Sequence, residues 1–321
     1  MSTKKTRLGI LLPTRGLLLG DAAPGDARRI IELARRAEAA GLDSVWVGDS
    51  LTAKPRLEPL ATLAAIGACT ERVRLGTAVL LAALRHPVLL AQTMATVDLL
   101  SNGRLVIGAG VGGAFNDDQK REWRAAGVPP SQRTGRLEEI VQILRQLSTG
   151  TPVTFSGKHF SLDEVKMEPR PVQSHGVPVL LASHGRFQRE DQMMRAARLA
   201  DGLISISDTP QEYARLVQRV REMVDGLGRD VTRFETAFYL TVNLGCDTGK
   251  ATSEANRFLT RYYGADIWGT RWGPFGDPER VKERMAEYVE AGAQTLVVRF
   301  ASFEPEIQLD TFLDHVAPAF G

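Results

Sequence analysis

Apolar, strand-like runs alternate with amphipathic helical segments along the whole chain of 321 residues, and this alternation most constrains the fold. The runs are RLGILLP, DSVWVGD, VRLGTAVLLA, RLVIGAG, VPVLLAS, DGLISIS, ETAFYLTVNLG and AQTLVVRF. Nearly continuous apolar runs are typical of parallel strands that are covered on both faces. Eight such strands, each followed by a helix, predict an α/β fold: one closed (β/α)8 TIM barrel over residues 1–321.

A doubly wound open sheet is the alternative architecture. Its nucleotide-binding form carries a Gly-x-Gly-x-x-Gly motif in an early βαβ unit. The fourth run here leads into GAGVGGAFND, in which the glycines have a different spacing, and no early βαβ unit carries them. The barrel is therefore the better interpretation.

Two segments interrupt the alternation. Residues 151–173 have alternating strand character around SGKH and predict a small inserted hairpin, and residues 264–280 are rich in glycine and aromatic residues. We expect both insertions at the face formed by the carboxyl ends of the strands. Long loops on that face often serve as lids or binding walls, although they can also merely cover the barrel.

Composition excludes several classes of protein. A formal net charge of +2 is too small to indicate nucleic acid as the main partner. The two cysteines, Cys69 and Cys246, form no disulfide or metal-binding motif. The most apolar run, Leu75 to Leu84, is too short to span a bilayer, and the amino-terminal apolar run lacks a signal cleavage site. A cytoplasmic enzyme or binding protein, with no metal, is expected.

Polar residues follow the second and third strands, where a barrel has its active site. Asp49 and Ser50 close the second strand, and Arg85 and His86 follow the third. Asp49 and Ser50 could act in the active site or could only close the loop after the strand. For His86, which precedes a proline, a role in the site competes with a place at the start of a helix.

Small residues follow the fourth and fifth strands. Glycines in GAGVGG allow the backbone to approach a flat or anionic ligand closely. In ASHGRFQ, the Ser183 hydroxyl, the Arg186 guanidinium and backbone N–H groups at a helix start could bind a phosphate. An ordinary capped helix is the alternative interpretation.

Three segments resemble one known family, the bacterial-luciferase-like flavin oxidoreductases. They are GLDSVWVGDSL, ERVRLGTAVLLAALRHPVLLAQTMATVDLLSNGRLVIGAGVG and GDPERVKERMAEYVEAGAQTLVV, and the resemblance covers essentially the whole chain. It implies a (β/α)8 barrel that binds reduced FMN or the deazaflavin coenzyme F420 (F-420) at the strand ends. FMN members activate oxygen, whereas deazaflavin members transfer hydride.

The resemblance also implies roles for particular residues. The cofactor-binding positions are a non-prolyl cis peptide that supports the flavin ring, a loop along the cofactor tail, and a phosphate-binding turn: Ala78–Val79, then Gly110, Val111 and Gly112, then Ser183, Gly185, Arg186 and Phe187. The catalytic candidates are Asp49, at the family's acidic position, with Ser50 and His86. Ser50 stands where many members have histidine, which questions any histidine-assisted mechanism here.

We therefore expect a monooxygenase that uses reduced FMN, supplied by a separate flavin reductase, on a small organic substrate. The alternatives are an F420-dependent reductase or dehydrogenase and a non-catalytic flavin-binding relative. A homodimer or higher homo-oligomer is expected, without nucleic-acid or membrane partners. Five aromatic residues could line an apolar pocket or serve only in packing: Trp46, Phe115, Trp268, Trp272 and Phe275.

Overall fold

The structure is a computed structural model that describes residues 6–19, 26–265, 267 and 269–320. Its strands are β1 (Arg7–Leu11), β2 (Ser44–Val47), β3 (Arg74–Leu80), β4 (Leu105–Ala109), β5 (Val153–Ser156), β6 (Ser161–Val165), β7 (Val179–Ala182), β8 (Gly202–Ile206), β9 (Glu235–Leu244), β10 (Phe275–Gly276) and β11 (Thr295–Phe300). Its α-helices are α1 (Arg28–Ala39), α2 (Pro59–Gly67), α3 (Pro87–Leu100), α4 (Asp117–Ala125), α5 (Arg133–Leu147), α6 (Glu190–Leu199), α7 (Pro210–Gly226), α8 (Thr248–Tyr263), α9 (Pro278–Glu290) and α10 (Pro305–His315).

Eight parallel strands close into a barrel. Their order is β1–β2–β3–β4–β7–β8–β9–β11, and β11 pairs with β1 to complete the ring. Helices lie between successive strands, so the predicted (β/α)8 barrel is confirmed. Because all eight strands are parallel, their carboxyl ends lie on one face, which we call the mouth.

Apolar side chains fill both the barrel and the layer between strands and helices. The interior residues are Leu11, Trp46, Ala78, Val106, Leu180, Ile204, Ala237, Tyr239 and Val297. In α1, the buried residues Ile30, Leu33, Ala34 and Ala37 recur at helical spacing and form the stripe that faces the strands. The chain then turns at Gly41, whose φ of +80° is readily adopted by glycine.

The first insertion forms the predicted hairpin, since β5 and β6 pair in antiparallel fashion. The hairpin follows the carboxyl end of α5, and its tip runs back along that helix to the start of α3 beside the mouth, where the Phe160 ring meets His86. The hairpin tip packs back on α5, where the Glu139 carboxylate accepts the N–H groups of Lys158, His159 and Phe160. It therefore braces the helix layer.

The second insertion lies at the mouth, as expected. β9 is followed by two helices, α8 and α9, and β10 pairs with the end of β9 between them. The Gly273 N–H donates to the Thr241 carbonyl, and the Arg15 guanidinium donates to the Tyr262 carbonyl at the end of α8. Helix α8 and its return segment thus border the β1 and β9 ends.

One helix, α4, was not expected from the sequence, whereas α10 is the helix expected after the eighth strand of the barrel. Helix α4 begins with a capping box in which Asn116 and Gln119 bond each other's backbone N–H groups. That Asn-x-x-Gln spacing was the available signal. None of the helices in the described part of the chain is long and apolar enough to cross a membrane.

Candidate functional site

Four predicted site positions, Asp49, Ala78, Gly110 and Ser183, lie at the ends of β2, β3, β4 and β7. A Cβ on Gly110 would lie 2.8 Å from Val79 Cγ2 and 3.5 Å from Ala182 Cβ. The backbone of β4 therefore passes close to both neighbouring strands. The barrel brings these positions to one face.

The Ala78–Val79 peptide bond is cis, as the family resemblance implies. The pairing of β3 with β4 also changes register between Thr77 and Leu80. This irregularity displaces the end of β3 from the regular ladder. Val79 packs against the residues of the barrel interior.

The Asp49 carboxylate is held by groups that follow β3. Its Oδ2 accepts from Arg85 Nη1 at 2.5 Å and from the Leu81 N–H at 2.9 Å, and its Oδ1 accepts from Arg85 Nη2 at 3.2 Å. The Asp49 side chain is only 3% exposed. This geometry ties the ends of β2 and β3 together, so it favours a positioning role, while the catalytic role stays a prediction.

Ser50 is buried against a residue that the sequence analysis did not single out, Glu122 of α4. The Ser50 hydroxyl donates to Glu122 Oε1 at 2.7 Å and accepts the Lys54 N–H at 2.9 Å. The same Glu122 oxygen accepts the N–H groups of Thr52 and Ala53. Ser50 and Glu122 thus fold the loop after β2, and a catalytic role for Ser50 stays a prediction.

His86 is exposed and stands at the start of α3. Its Nδ1 accepts the Val88 N–H at 3.3 Å, and its ring meets the Phe160 ring edge-on. In this structure His86 therefore has the place at a helix start that its proline neighbour suggested. Its catalytic role is untested, and the neighbouring Arg85 contacts Asp49.

In the turn after β7, where a phosphate site is predicted, the backbone N–H groups already have a partner. The Gly185 and Arg186 N–H groups donate to the Asp208 carboxylate at 2.7 and 3.1 Å, and the Ser205 hydroxyl donates to it at 2.6 Å. A Cβ on Gly185 would collide with the Glu212 carbonyl oxygen in α7. The backbone donors therefore bind an internal carboxylate, and the glycine is needed for packing.

Side-chain atoms at the ends of β7 and β8 offer a different polar surface. Within the described residues, Ser183 Oγ, Ser207 Oγ and His184 Nδ1 are buried without a hydrogen-bond partner. Burial lowers the pKa of His184, which favours the neutral imidazole. Buried polar atoms without partners are rare in folded proteins, so these three indicate a place for a hydrogen-bonding ligand.

The other predicted cofactor positions have different environments. Gly112 has a φ of +72°, and a Cβ there would lie 2.9 Å from the Trp123 ring. Val111 packs against the main hydrophobic core. The Arg186 guanidinium carbon lies 4.3 Å from the centre of the exposed Phe187 ring.

The predicted aromatic residues separate into different environments. Trp46 is fully buried in the barrel, and Phe275 packs against the cluster around α8. Trp272 stacks on Tyr263 at 5.5 Å between ring centres. Phe115 is 87% exposed, and Trp268 lies outside the described residues.

Cationic residues at the mouth were missed by the sequence analysis. Arg15 follows β1, Arg299 lies near the carboxyl end of β11, and Lys54 and Arg56 follow β2. Their neighbours include Tyr262 and Tyr263. The signal was present, since Arg299 is the only charged residue in the strand TLVVRF. Across the described ranges, no group of three or more metal-ligating side chains occurs, and Cys69 and Cys246 are exposed free thiols.

A family model described as luciferase-like monooxygenase matches residues 6–272. The chain belongs to this family. One relative is a protein from Amycolatopsis mediterranei that is named F420-dependent glucose-6-phosphate dehydrogenase. It is 30% identical to this luciferase-like protein, and the alignment covers 91% of this chain and 94% of the relative. A Nocardia farcinica protein of the same name is 29% identical over 91% of this chain and 93% of its own.

Solved structures of low identity show the same fold. An F420-dependent secondary alcohol dehydrogenase in complex with an F420–acetone adduct superposes with a TM-score of 0.80, at 22% identity over 99% of both chains. A monooxygenase from Streptomyces bottropensis gives 0.81, at 22% identity over 98% of this chain and all of its own. The family and these relatives are oxidoreductases, and this luciferase-like protein is one as well.

Proposed function

We propose that this protein is an F420-dependent oxidoreductase that transfers hydride between the deazaflavin and a small organic substrate at the barrel mouth. The observation that carries the proposal is the pair of buried, unpartnered hydroxyls of Ser183 and Ser207, which the described residues leave at neighbouring strand ends. Such hydroxyls are suited to the phosphate of a coenzyme tail. Relatives that align over nine-tenths of the chain and carry the name F420-dependent support the choice of coenzyme.

The residues at the mouth fit this coenzyme. Ser183 and Ser207 would donate to its phosphate, with Arg186 as the nearby cation. The ring would rest against Ala78 and Val79, with its tail along the backbone of Gly110 to Gly112. When bound, the deazaflavin supplies a two-electron hydride acceptor, and the protein supplies binding and orientation.

A monooxygenase that uses reduced FMN is the second candidate. Its support is the family description and the fold shared with a monooxygenase at 22% identity. A monooxygenase of this kind requires a separate flavin reductase to supply reduced FMN, whereas an F420-dependent enzyme does not. The more similar, full-length relatives favour F420 over the monooxygenase that the sequence analysis placed first, and a homodimer or higher homo-oligomer stays a prediction.

Titration of the purified protein with F420 and with FMN, followed by fluorescence, tests the proposal. We expect F420 to bind at least about tenfold more tightly than FMN, and Ser183→Ala and Ser207→Ala to weaken F420 binding about tenfold each, the worth of one hydrogen bond to a charged group. Ser131→Ala, at an exposed serine in the turn before α5, is the matched control. Hydride transfer is followed as loss of the F420 absorbance with a panel of secondary alcohols.

Two outcomes contradict the proposal. Preferential binding of FMN, together with oxygen consumption by the reduced complex, would establish the monooxygenase reading. F420 affinity unchanged in both serine variants would remove the β7–β8 phosphate site.

A further inference from the structure

A group of cations and aromatic rings occupies the mouth on the side away from β7 and β8. We call it the cation cluster, and its members are Arg15, Lys54, Arg56 and Arg299 with Tyr239, Tyr262, Tyr263 and Trp272. In the barrel order, β1 stands opposite β7 and β2 stands opposite β8. The members that follow β1 and β2, which are Arg15, Lys54 and Arg56, therefore face the proposed coenzyme phosphate site across the mouth. Arg299 comes from β11, and the aromatic rings come from β9 and the segment after it.

Arg299 is the most buried member, with 2% of its surface exposed. Its guanidinium donates to Thr241 Oγ1 at 2.8 and 3.1 Å and to the Tyr263 hydroxyl at 2.7 Å. The guanidinium carbon of Arg299 also lies 4.6 Å from the centre of the Trp272 ring. These partners are neutral, and burying a cation without a carboxylate is costly even among aromatic rings.

The other three cations also bond to neutral groups. Arg56 Nη1 donates to the Tyr262 hydroxyl at 3.1 Å, and Arg15 donates to the carbonyls of Tyr262 and Pro55. The Lys54 ammonium lies 4.5 Å above the Tyr263 ring. Among the residues described, no ion pair joins any of the four cations to a carboxylate within 4.0 Å.

The electrostatics of the cluster reflect this excess of positive charge. Burial lowers the pKa of Lys54 to about 8, and the neighbouring arginines act in the same direction. Burial disfavours the Tyr262 phenolate, yet the charges of Arg56, Arg299 and Arg15 together bring the pKa of Tyr262 below its ordinary value. A bound anion would relieve both effects.

The cluster adjoins the site already described. A Cβ on Gly48 would collide with Arg56 Nη1 and would lie 3.7 Å from the Ala78 carbonyl oxygen. The Arg56 guanidinium therefore lies over the end of β2, next to the predicted ring support. Tyr239 contributes to the barrel interior together with Ala78.

We propose that the cation cluster binds an oxyanion, a phosphate or a carboxylate, carried by the substrate. The assignment to the substrate rests on the proposed function, because the coenzyme phosphate is placed across the mouth at Ser183 and Ser207. The presence of an anion site does not depend on the coenzyme. The arginines of the cluster and Lys54 provide the hydrogen-bond donors that phosphate and carboxylate groups prefer.

Isothermal titration calorimetry with inorganic phosphate and, separately, with acetate tests the site at constant ionic strength. The proteins are the wild type, Arg56→Met, Lys54→Met and, as a matched control, Arg124→Met at an exposed arginine of α4. We expect at least one anion to bind the wild type and the control equally, and each cluster variant to bind it about tenfold or more weakly. Which of the two anions binds identifies the substrate group.

F420 titration of the same four proteins separates the two proposals. Equal F420 affinity in all four, with anion binding lost only in the cluster variants, supports a substrate site. Anion binding that is absent from the wild type, or unchanged in both cluster variants, overturns the site. F420 affinity that falls in parallel with anion affinity overturns the assignment to substrate, and an anion site in a protein that does not bind F420 overturns the proposed function alone.

Discussion

At the residue scale, the carboxylate of Asp49 is the group whose environment most changes its interpretation. The sequence makes it the only ionisable side chain in the segment after β2, which suggests proton transfer. In the structure, its two oxygens accept hydrogen bonds from the Arg85 guanidinium, and Oδ2 also accepts one from the Leu81 N–H. These bonds hold the carboxylate against the segment that follows β3, so we expect its influence on turnover to pass through the position of β3.

The first prediction separates positioning from proton transfer at Asp49. We expect Asp49→Asn to lower turnover at least tenfold, about 1.4 kcal/mol of barrier, with nearly unchanged coenzyme affinity. Arg85→Gln should lower it by a similar factor, because it breaks the same bond. Neither variant should remove a limb of the pH–rate profile, and loss of the basic or acidic limb only in Asp49→Asn would show that Asp49 exchanges a proton.

At the element scale, the loop after β2 depends on helix α4. One oxygen of Glu122 accepts the Ser50 hydroxyl and two backbone N–H groups, although Glu122 is 3% exposed. The same loop carries Lys54 and Arg56, so this carboxylate indirectly places two members of the cation cluster. A short helix thereby organises one side of the mouth.

We expect Glu122→Ala to lower the free energy of unfolding by about 2–3 kcal/mol, since it leaves three donors without their charged acceptor. Anion binding at the cation cluster should weaken as well. Asp118→Asn, an exposed carboxylate on the same helix, is the control and should change stability by less than about 0.5 kcal/mol. Urea denaturation measures both, and equal stability of the two variants would contradict the role given to Glu122.

At the scale of the whole molecule, a partly buried ion network joins four strands at the end of the barrel opposite the mouth. The Glu235 carboxylate of β9 pairs with Arg7 of β1 at 3.0 Å and with Arg74 of β3 at 2.9 Å, and accepts the Thr295 hydroxyl of β11. Burial opposes ionisation, yet the charges of Arg74 and Arg7 and the hydrogen bonds from Arg74 and Thr295 together outweigh it and lower the pKa of Glu235. The network ties together strands that are distant in sequence.

The third prediction concerns Glu235→Ala, which should lower the free energy of unfolding by about 1.5–3 kcal/mol, because Arg7 loses its carboxylate partner and Arg74 keeps only Asp43, at 3.7 Å. A lowered pKa in the folded state means that this contribution is complete above the unfolded glutamate pKa of about 4.3 and is lost as pH falls toward the folded pKa. The difference between wild type and variant should therefore shrink below about pH 4. Chemical denaturation across pH measures it, with exposed Glu222→Ala as control, and a difference that grows in acid would contradict the network's role.

Much of the architecture could be predicted from local pattern. Eight apolar runs and their helices predict parallel strands that are buried on both faces, which a closed barrel and a doubly wound sheet both provide. The spacing of the glycines after the fourth run favoured the barrel. Alternating strand character also predicted the hairpin at 151–173. The family resemblance predicted the cis bond between Ala78 and Val79. Helix α4 was not predicted because its residues are mostly polar, and its capping box was the available sequence signal.

The environment of each site residue was decided by tertiary structure alone. The sequence places Asp49, Ser50 and Gly185 at strand ends, but their partners Arg85, Glu122 and Asp208 come from other elements. Whether a carboxylate is available for chemistry depends on which donors the fold brings within about 3 Å, and spacing along the chain does not encode that distance. The cation cluster arose in the same way, from Arg15, Lys54, Arg56 and Arg299, because strand closure brings the two chain ends together.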